Sequence, residues 1–243
     1  MLFRSPGCRA GKETSALARH QLYERAVPYF QAVHARHPES YDAAFNLGLC
    51  YVESRQYARA IQVLRGIADR GHKNAELDNL LAEAYEKNNQ IQEAIDALRE
   101  ATRLEPENED NYVDLATLCT NYEAYKLGLE VISVGLHYRP QSDKLIFQRG
   151  VIRAMQGEFD RAEEDFQLAA RRAPERNLAY VGMGVSYMQS GELPEAIRSP
   201  RQRIQSHPND AILQFLLAEA LVRSGAAPGE ATFAEARPRW KSR

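Results

Sequence analysis

His34 and His37 stand three residues apart. On a helix that spacing puts two imidazoles on neighbouring positions of one face, where they could share a metal ion. A closed metal site needs a third and fourth ligand, and no further ligand stands near them in sequence. The pair therefore reads as two solvated side chains. Adjacent carboxylates such as Glu163 and Glu164 could support acid–base work, but their helical register places them on a charged outer face. Cys8, Cys50 and Cys119 are too far apart for a paired spacing, so they suggest neither a disulfide framework nor a zinc site. Free, buried thiols in a reducing compartment fit them better. Met183 and Met188 have the spacing of packing residues on a helix. The chain contains no glycine-rich phosphate loop, no nucleophile elbow and no Cys–His arrangement of known spacing. The expectation is a protein that is not an enzyme, with no catalytic residue, cofactor or metal.

Composition agrees with a folded binding protein. The 243 residues carry 31 basic and 33 acidic side chains, a net charge of −2, with 44% hydrophobic residues. A nucleic-acid partner would call for a basic excess. No apolar run reaches the roughly 18 residues of a membrane span. Met1 to His20 lacks the apolar stretch of a secretory leader, so the expected location is cytoplasmic.

The elements that must position any site are set by a repeat. Pro38, Pro106, Pro140, Pro174 and Pro208 lie on one grid of 34 residues, with His72 at the remaining point. Chance would place five prolines there about once in ten thousand trials or less. Small residues keep the same step: Gly48, Ala82, Ala116, Gly150, Gly184 and Ala218, then Ala26, Ala60, Ala94, Gly128, Ala162 and Ala196. Apolar columns run through Phe30, Leu64, Leu98, Ile132 and Phe166, and through Leu47, Leu81, Leu115, Met183 and Leu217, with Arg149 as the exception. Within residues 41–74, apolar and small residues recur at helical spacing on both sides of a polar break at Glu53–Gln56, which predicts two amphipathic helices joined by a tight turn. The small columns mark close helix crossings. The prolines prevent the second helix from continuing. Gly157 and Gly191 mark the inner turns, as helix C-terminal residues of positive φ do.

Leu47, Gly48, Tyr51, Ala60 and Leu64, repeated as Leu81, Ala82, Tyr85, Ala94, Leu98 and Pro106, resemble the tetratricopeptide repeat. Gly150, Ala162, Phe166 and Pro174, then Gly184, Tyr187, Ala196 and Pro208, repeat the likeness. The resemblance implies an all-α fold, a right-handed α-solenoid of antiparallel helix pairs. It would comprise a tail at 1–6, one solenoid over 7–236 in units near 7–40, 41–74, 75–108, 109–142, 143–176, 177–210 and 211–236 (partial), and a basic tail at 237–243 containing Trp240. Two departures stand out. In the first unit, Pro6, Gly7 and Gly11 interrupt the first helix, leaving a good second helix at Tyr23–His37. Pro200 falls inside a second helix and is expected to end or kink it, at about 3 kcal/mol. No capping helix follows the last unit. A fragment of a longer array, or an oligomer covering the open C-terminal end, would account for that.

The resemblance also implies a function: a scaffold or adaptor that binds a protein or peptide in a groove lined by the first helices. The alternative is a regulatory domain of a larger enzyme or assembly protein. Carried over to this sequence, the lining comprises Asp42, Asn46, Glu76, Asn79, Glu83, Glu86, Asp110 and Asp114, an acidic stretch with almost no compensating base. It continues as Phe147, Val151, Val181 and Val185, with Leu178, Ile212 and Phe215 beyond. A ligand that is basic at one end and apolar at the other would match. The Lys–Asn–Arg clamp by which some members bind chaperone C-termini is met only by Asn46.

Overall fold

The computed structural model describes residues 12–225, and side chains from Leu22 on. The expected tail at 1–6, the end of the last repeat and the basic stretch at 237–243 lie outside the described residues. These residues form twelve helices: α1 (Lys12–Arg36), α2 (Tyr41–Glu53), α3 (Tyr57–Asp69), α4 (Ala75–Lys87), α5 (Ile91–Leu104), α6 (Glu109–Asn121), α7 (Tyr125–Tyr138), α8 (Asp143–Met155), α9 (Phe159–Arg172), α10 (Leu178–Ser190), α11 (Leu193–Ser206) and α12 (Ala211–Arg223). No strand occurs among them. The fold is an all-α helical repeat. It divides into two compact units, one ending at Glu105 and one beginning at Pro106. The 34-residue phase crosses that boundary unbroken, so the repeat pattern gives no sign of it.

The repeat sets the helix ends. Ser40, Asn74, Asn108, Ser142 and Asp210 lie on the 34-residue grid. Each accepts a hydrogen bond from a backbone N–H of the helix it precedes, so the first helices start with a side-chain cap. The remaining grid point is Arg176, which cannot accept. There α10 begins one residue late behind Asn177, without a side-chain cap bond. Inside each hairpin the turn residue is left-handed: Arg55, Asn89, Glu123, Gly157 and Gly191 have φ of 59°, 61°, 58°, 78° and 88°, and Gly225 continues the series at 79°. Gly157 and Gly191 are as the sequence suggests. Arg55 and Glu123 are not, because a residue with a Cβ adopts this conformation at a penalty of about 1 kcal/mol. Glu123 is exposed, and Glu123→Gly is expected to stabilise the chain by about 0.5 kcal/mol, the relieved strain outweighing the extra freedom of glycine in the unfolded chain. Thermal unfolding checks this, with Gly157→Ala moving the opposite way.

The small columns are close crossings. Ala60, Ala94, Ala162 and Ala196 are fully buried. A Cβ on Gly150 would lie 2.7 Å from Phe166 Cε1, and one on Gly184 2.3 Å from Leu216 Cδ2. The second contact comes from the following repeat, because Pro200 occupies the column that holds Phe166 one repeat earlier. In the second unit Ile146, Phe166, Met183, Tyr187 and Leu216 belong to one core cluster.

Two expectations from the sequence are corrected. α11 runs unbroken from Leu193 to Ser206 with Pro200 inside it, so Pro200 does not end its helix. Its ring is almost completely buried in the apolar column, and that packing offsets the lost backbone bond. Residues 12–36 form one 25-residue helix, with Pro28 inside it, where a helix pair was expected to begin. Pro28 is exposed, so, unlike Pro200, it is not buried in a core column.

Candidate functional site

The expected lining residues fall in both units. In the first unit, Asp42, Glu76 and Glu83 are exposed, and Asn46, Asn79 and Glu86 are half-buried. The Asn46 amide donates to the Asp42 carbonyl at 2.7 Å, within its own helix. Glu86 pairs with Lys87 at 3.3 Å. Sequence reasoning passed over Asp78 on α4. Burial, aided by the nearby Glu100 carboxylate, pushes its carboxyl up from 3.8 to about 6, against the opposing pull of Lys73 and Arg103. Its Oδ2 is buried and accepts no hydrogen bond among the described residues. A carboxyl raised on folding stabilises the protonated protein, and that contribution is present below about pH 4 and lost as pH rises through about 6. Asp78→Asn is therefore expected to match the wild type at pH 4 and to exceed it at pH 7.5. The gain should be on the order of 1 kcal/mol, after discounting for partial exposure. Urea unfolding across that pH range measures it.

In the second unit, Asp110 and Asp114 on α6 are exposed. The expectation that this stretch lacks a compensating base is corrected. Lys144 Nζ lies 2.5 Å from Asp110 Oδ1 and 3.1 Å from Glu109 Oε1. Lys144 is the next first-helix residue in the same register, 34 positions on, so adjacent repeats bring the charges together. Asp114 keeps a raised carboxyl, first from desolvation and then from Asp110, with Lys144 opposing. Phe147, Val151 and Val181 are half-buried and Val185 is exposed. Phe147 and Val151 pack against the core cluster, and Phe147 stacks at a tilt on Phe166, centroids 5.4 Å apart. Leu178, Ile212 and Phe215 are 56%, 60% and 68% exposed. They extend the same register along α10 and α12, so the most exposed apolar side chains of these helices share a face.

Between α8 and α9 lies a charged cluster that sequence reasoning did not assemble. Asp165 is 2% exposed. Arg149 grips it with two nitrogens, Nη2 to Oδ1 at 2.6 Å and Nε to Oδ2 at 3.0 Å. Arg153 Nη1 reaches Oδ2 at 2.8 Å. The bonds to Asp165 hold the Arg149 guanidinium more firmly protonated. Nearby, the Tyr187 hydroxyl donates to Glu163, and burial with that bond pushes its ionisation up.

Among the described residues, no three His, Cys, Asp or Glu side chains come close enough to hold a metal. The Cys50 thiol is buried and pushed up to about 11, so it is a poor nucleophile. No described helix is long and apolar enough to cross a membrane.

Comparison with known proteins supports the architecture. The family model for the anaphase-promoting complex, cyclosome, subunit 3 matches residues 19–101, and the tetratricopeptide repeat model matches 147–205 and 182–242. BBSome complex member BBS4 of Bos taurus is 22% identical over 176 residues, 69% of this chain. The match spans 33% of that protein's length, so this chain corresponds to about a third of the relative. Among solved structures, the C-terminal part of a TPR repeat-containing protein from Cytophaga hutchinsonii superposes with a TM-score of 0.69 at 16% identity, covering 94% of this chain and 92% of its own. YrrB, described as a TPR protein with an unusual peptide-binding site, superposes with a TM-score of 0.54 at 20% identity, covering 76% of this chain and 96% of its own. Periodic columns, hairpin geometry and family matches agree: the chain is a tetratricopeptide-repeat protein.

Proposed function

We propose that the protein is a non-catalytic scaffold that takes a peptide or protein segment along the first helices of its repeats. The observation that carries this reading is the shared apolar face of α10 and α12. Leu178, Val185, Ile212 and Phe215 stand exposed there, on helices whose other apolar residues are mostly buried. Exposed apolar groups gathered on one face favour a partner that covers them. Asp114 on α6 belongs to the same unit, so the proposed ligand is apolar over Phe147, Val151, Val181 and Val185 and basic towards Asp114. The peptide site of YrrB, a protein of similar fold, is consistent with this use of the architecture.

The test is selection from a random peptide display library against the full chain, followed by affinity measurement for the recovered peptides. Recovered sequences should be apolar with basic residues at one end. Phe215→Asp should abolish binding, and Asp114→Lys should weaken it and reduce its salt dependence, because exposed charge contacts are screened over about 10 Å at 0.1 M. Affinities indifferent to both substitutions would overturn the reading.

A further inference from the structure

Three positions that face the interior of a repeat are apolar almost everywhere in this chain and charged in one repeat alone. The first reads Leu47, Leu81, Leu115, Arg149, Met183 and Leu217. The second reads Tyr51, Tyr85, Cys119, Arg153, Tyr187 and Leu221. The third reads Val63, Ala97, Val131, Asp165 and Ser199. Arg149, Arg153 and Asp165 are the cluster between α8 and α9 described above. The corresponding place three repeats earlier borders a cleft. Leu47, Tyr51 and Val63 line a cleft of about 430 Å³ whose rim includes Gln31, His34 and Arg70. Leu47 and Tyr51 are themselves buried there, so access at the charged cluster comes from the exposure that Arg149 and Arg153 keep.

A structural account explains only part of the cluster. One arginine and one aspartate make a neutral pair that can be buried at little net penalty when well bonded. The second arginine leaves an excess positive charge beside a 3% exposed carboxylate, at guanidiniums that keep 30% and 24% exposure. Arg149 Nη1 and Arg153 Nε and Nη2 make no hydrogen bond to any described residue. Half-buried cations with unused donors gain most from a carboxylate, which guanidiniums bind in planar, two-point fashion.

We propose that Arg149 and Arg153 are a docking point for an aspartate or glutamate side chain on an acidic segment of a protein partner. Asp165 holds the two guanidiniums in place for it. The inference rests on the reading of this chain as a partner-binding protein, but it uses a different face.

The experiment uses the full chain and a fluorescein-labelled octaglutamate peptide at low salt, read by anisotropy. Arg153→Tyr and Arg149→Met place residues that other repeats already carry in these columns, and each leaves a neutral pair with Asp165. Circular dichroism should show both folded, and either one suffices if the other is not. Each is expected to weaken the peptide at least fivefold. Arg171→Gln and Arg172→Gln, at exposed positions on α9, should change it less than twofold, and Phe215→Asp should leave it unchanged. That last arm separates failure of this site from failure of the apolar face. Wild-type chain that does not bind the peptide, interior variants that bind like wild type, or exposed variants that weaken it equally would each overturn the proposal. Displacement by millimolar inorganic phosphate at constant ionic strength would assign the site to a free anion and overturn the protein partner.

Discussion

Asp165→Val should destabilise the protein by about 3 kcal/mol, the largest effect expected of a single substitution in the second unit. Valine is what two other repeats carry at this position, so the shape is tolerated and the loss is electrostatic. Without the carboxylate, Arg149 and Arg153, one turn apart on α8, are left side by side against α9 with no counter-charge. Removing one partner of a buried ion pair typically costs about 3–5 kcal/mol. The partial exposure of both arginines places this case at the lower end. Urea unfolding of the variant measures the loss. Arg153→Tyr is the contrasting substitution, because it leaves one arginine on one aspartate and should change stability by less than about 1 kcal/mol. A loss under 1 kcal/mol for Asp165→Val would mean that solvent already screens the two guanidiniums.

Ala162→Leu comes next, with an expected loss of about 1–3 kcal/mol. Ala162 is fully buried in the cluster that holds Phe166 and Met183. Its column marks where the two helices of a hairpin cross, and Gly150 on the facing helix already lies too close to Phe166 for a Cβ. Three extra carbons must therefore separate α8 from α9 or force side chains off their rotamers. Ala94→Leu tests the same column in the first unit, and urea melts of both variants decide it. A change within error would mean that the crossing is looser than the contacts imply.

The period made most of the architecture legible. The start of α2 at Tyr41, α4 at Ala75, α6 at Glu109 and α8 at Asp143 follows from columns that a reader can align by eye, because close crossings accept only small residues. That Pro200 would end its helix was misjudged because a local rule was applied without its surroundings. Proline is a poor helix residue in water, but here its ring fills a core column. The 25-residue α1 was missed because the turn of the other repeats has no counterpart in it. Arg149 did stand out as an exception in a leucine column, yet its meaning depended on Arg153 and Asp165, four and sixteen positions away. Reading all three columns together would have assembled the cluster. Lys144 was similarly legible, since it stands 34 residues from Asp110. The face across which a ligand would lie was less so, because periodicity assigns Phe147 and Val151 to a lining while packing draws both partly into the core.

The cluster also bears on how such a chain can change over generations. Arg149, Arg153 and Asp165 fall within 17 consecutive residues, inside the 34 that make up one repeat. A duplication or loss of residues 143–176 would carry all three together, stranding no charge in the interior. Lys144 would leave with them, and Leu178 would inherit its register beside Asp110. A specialised interior can thus be gained, copied or discarded as a cassette, while the flanking repeats keep the phase that lets them stack.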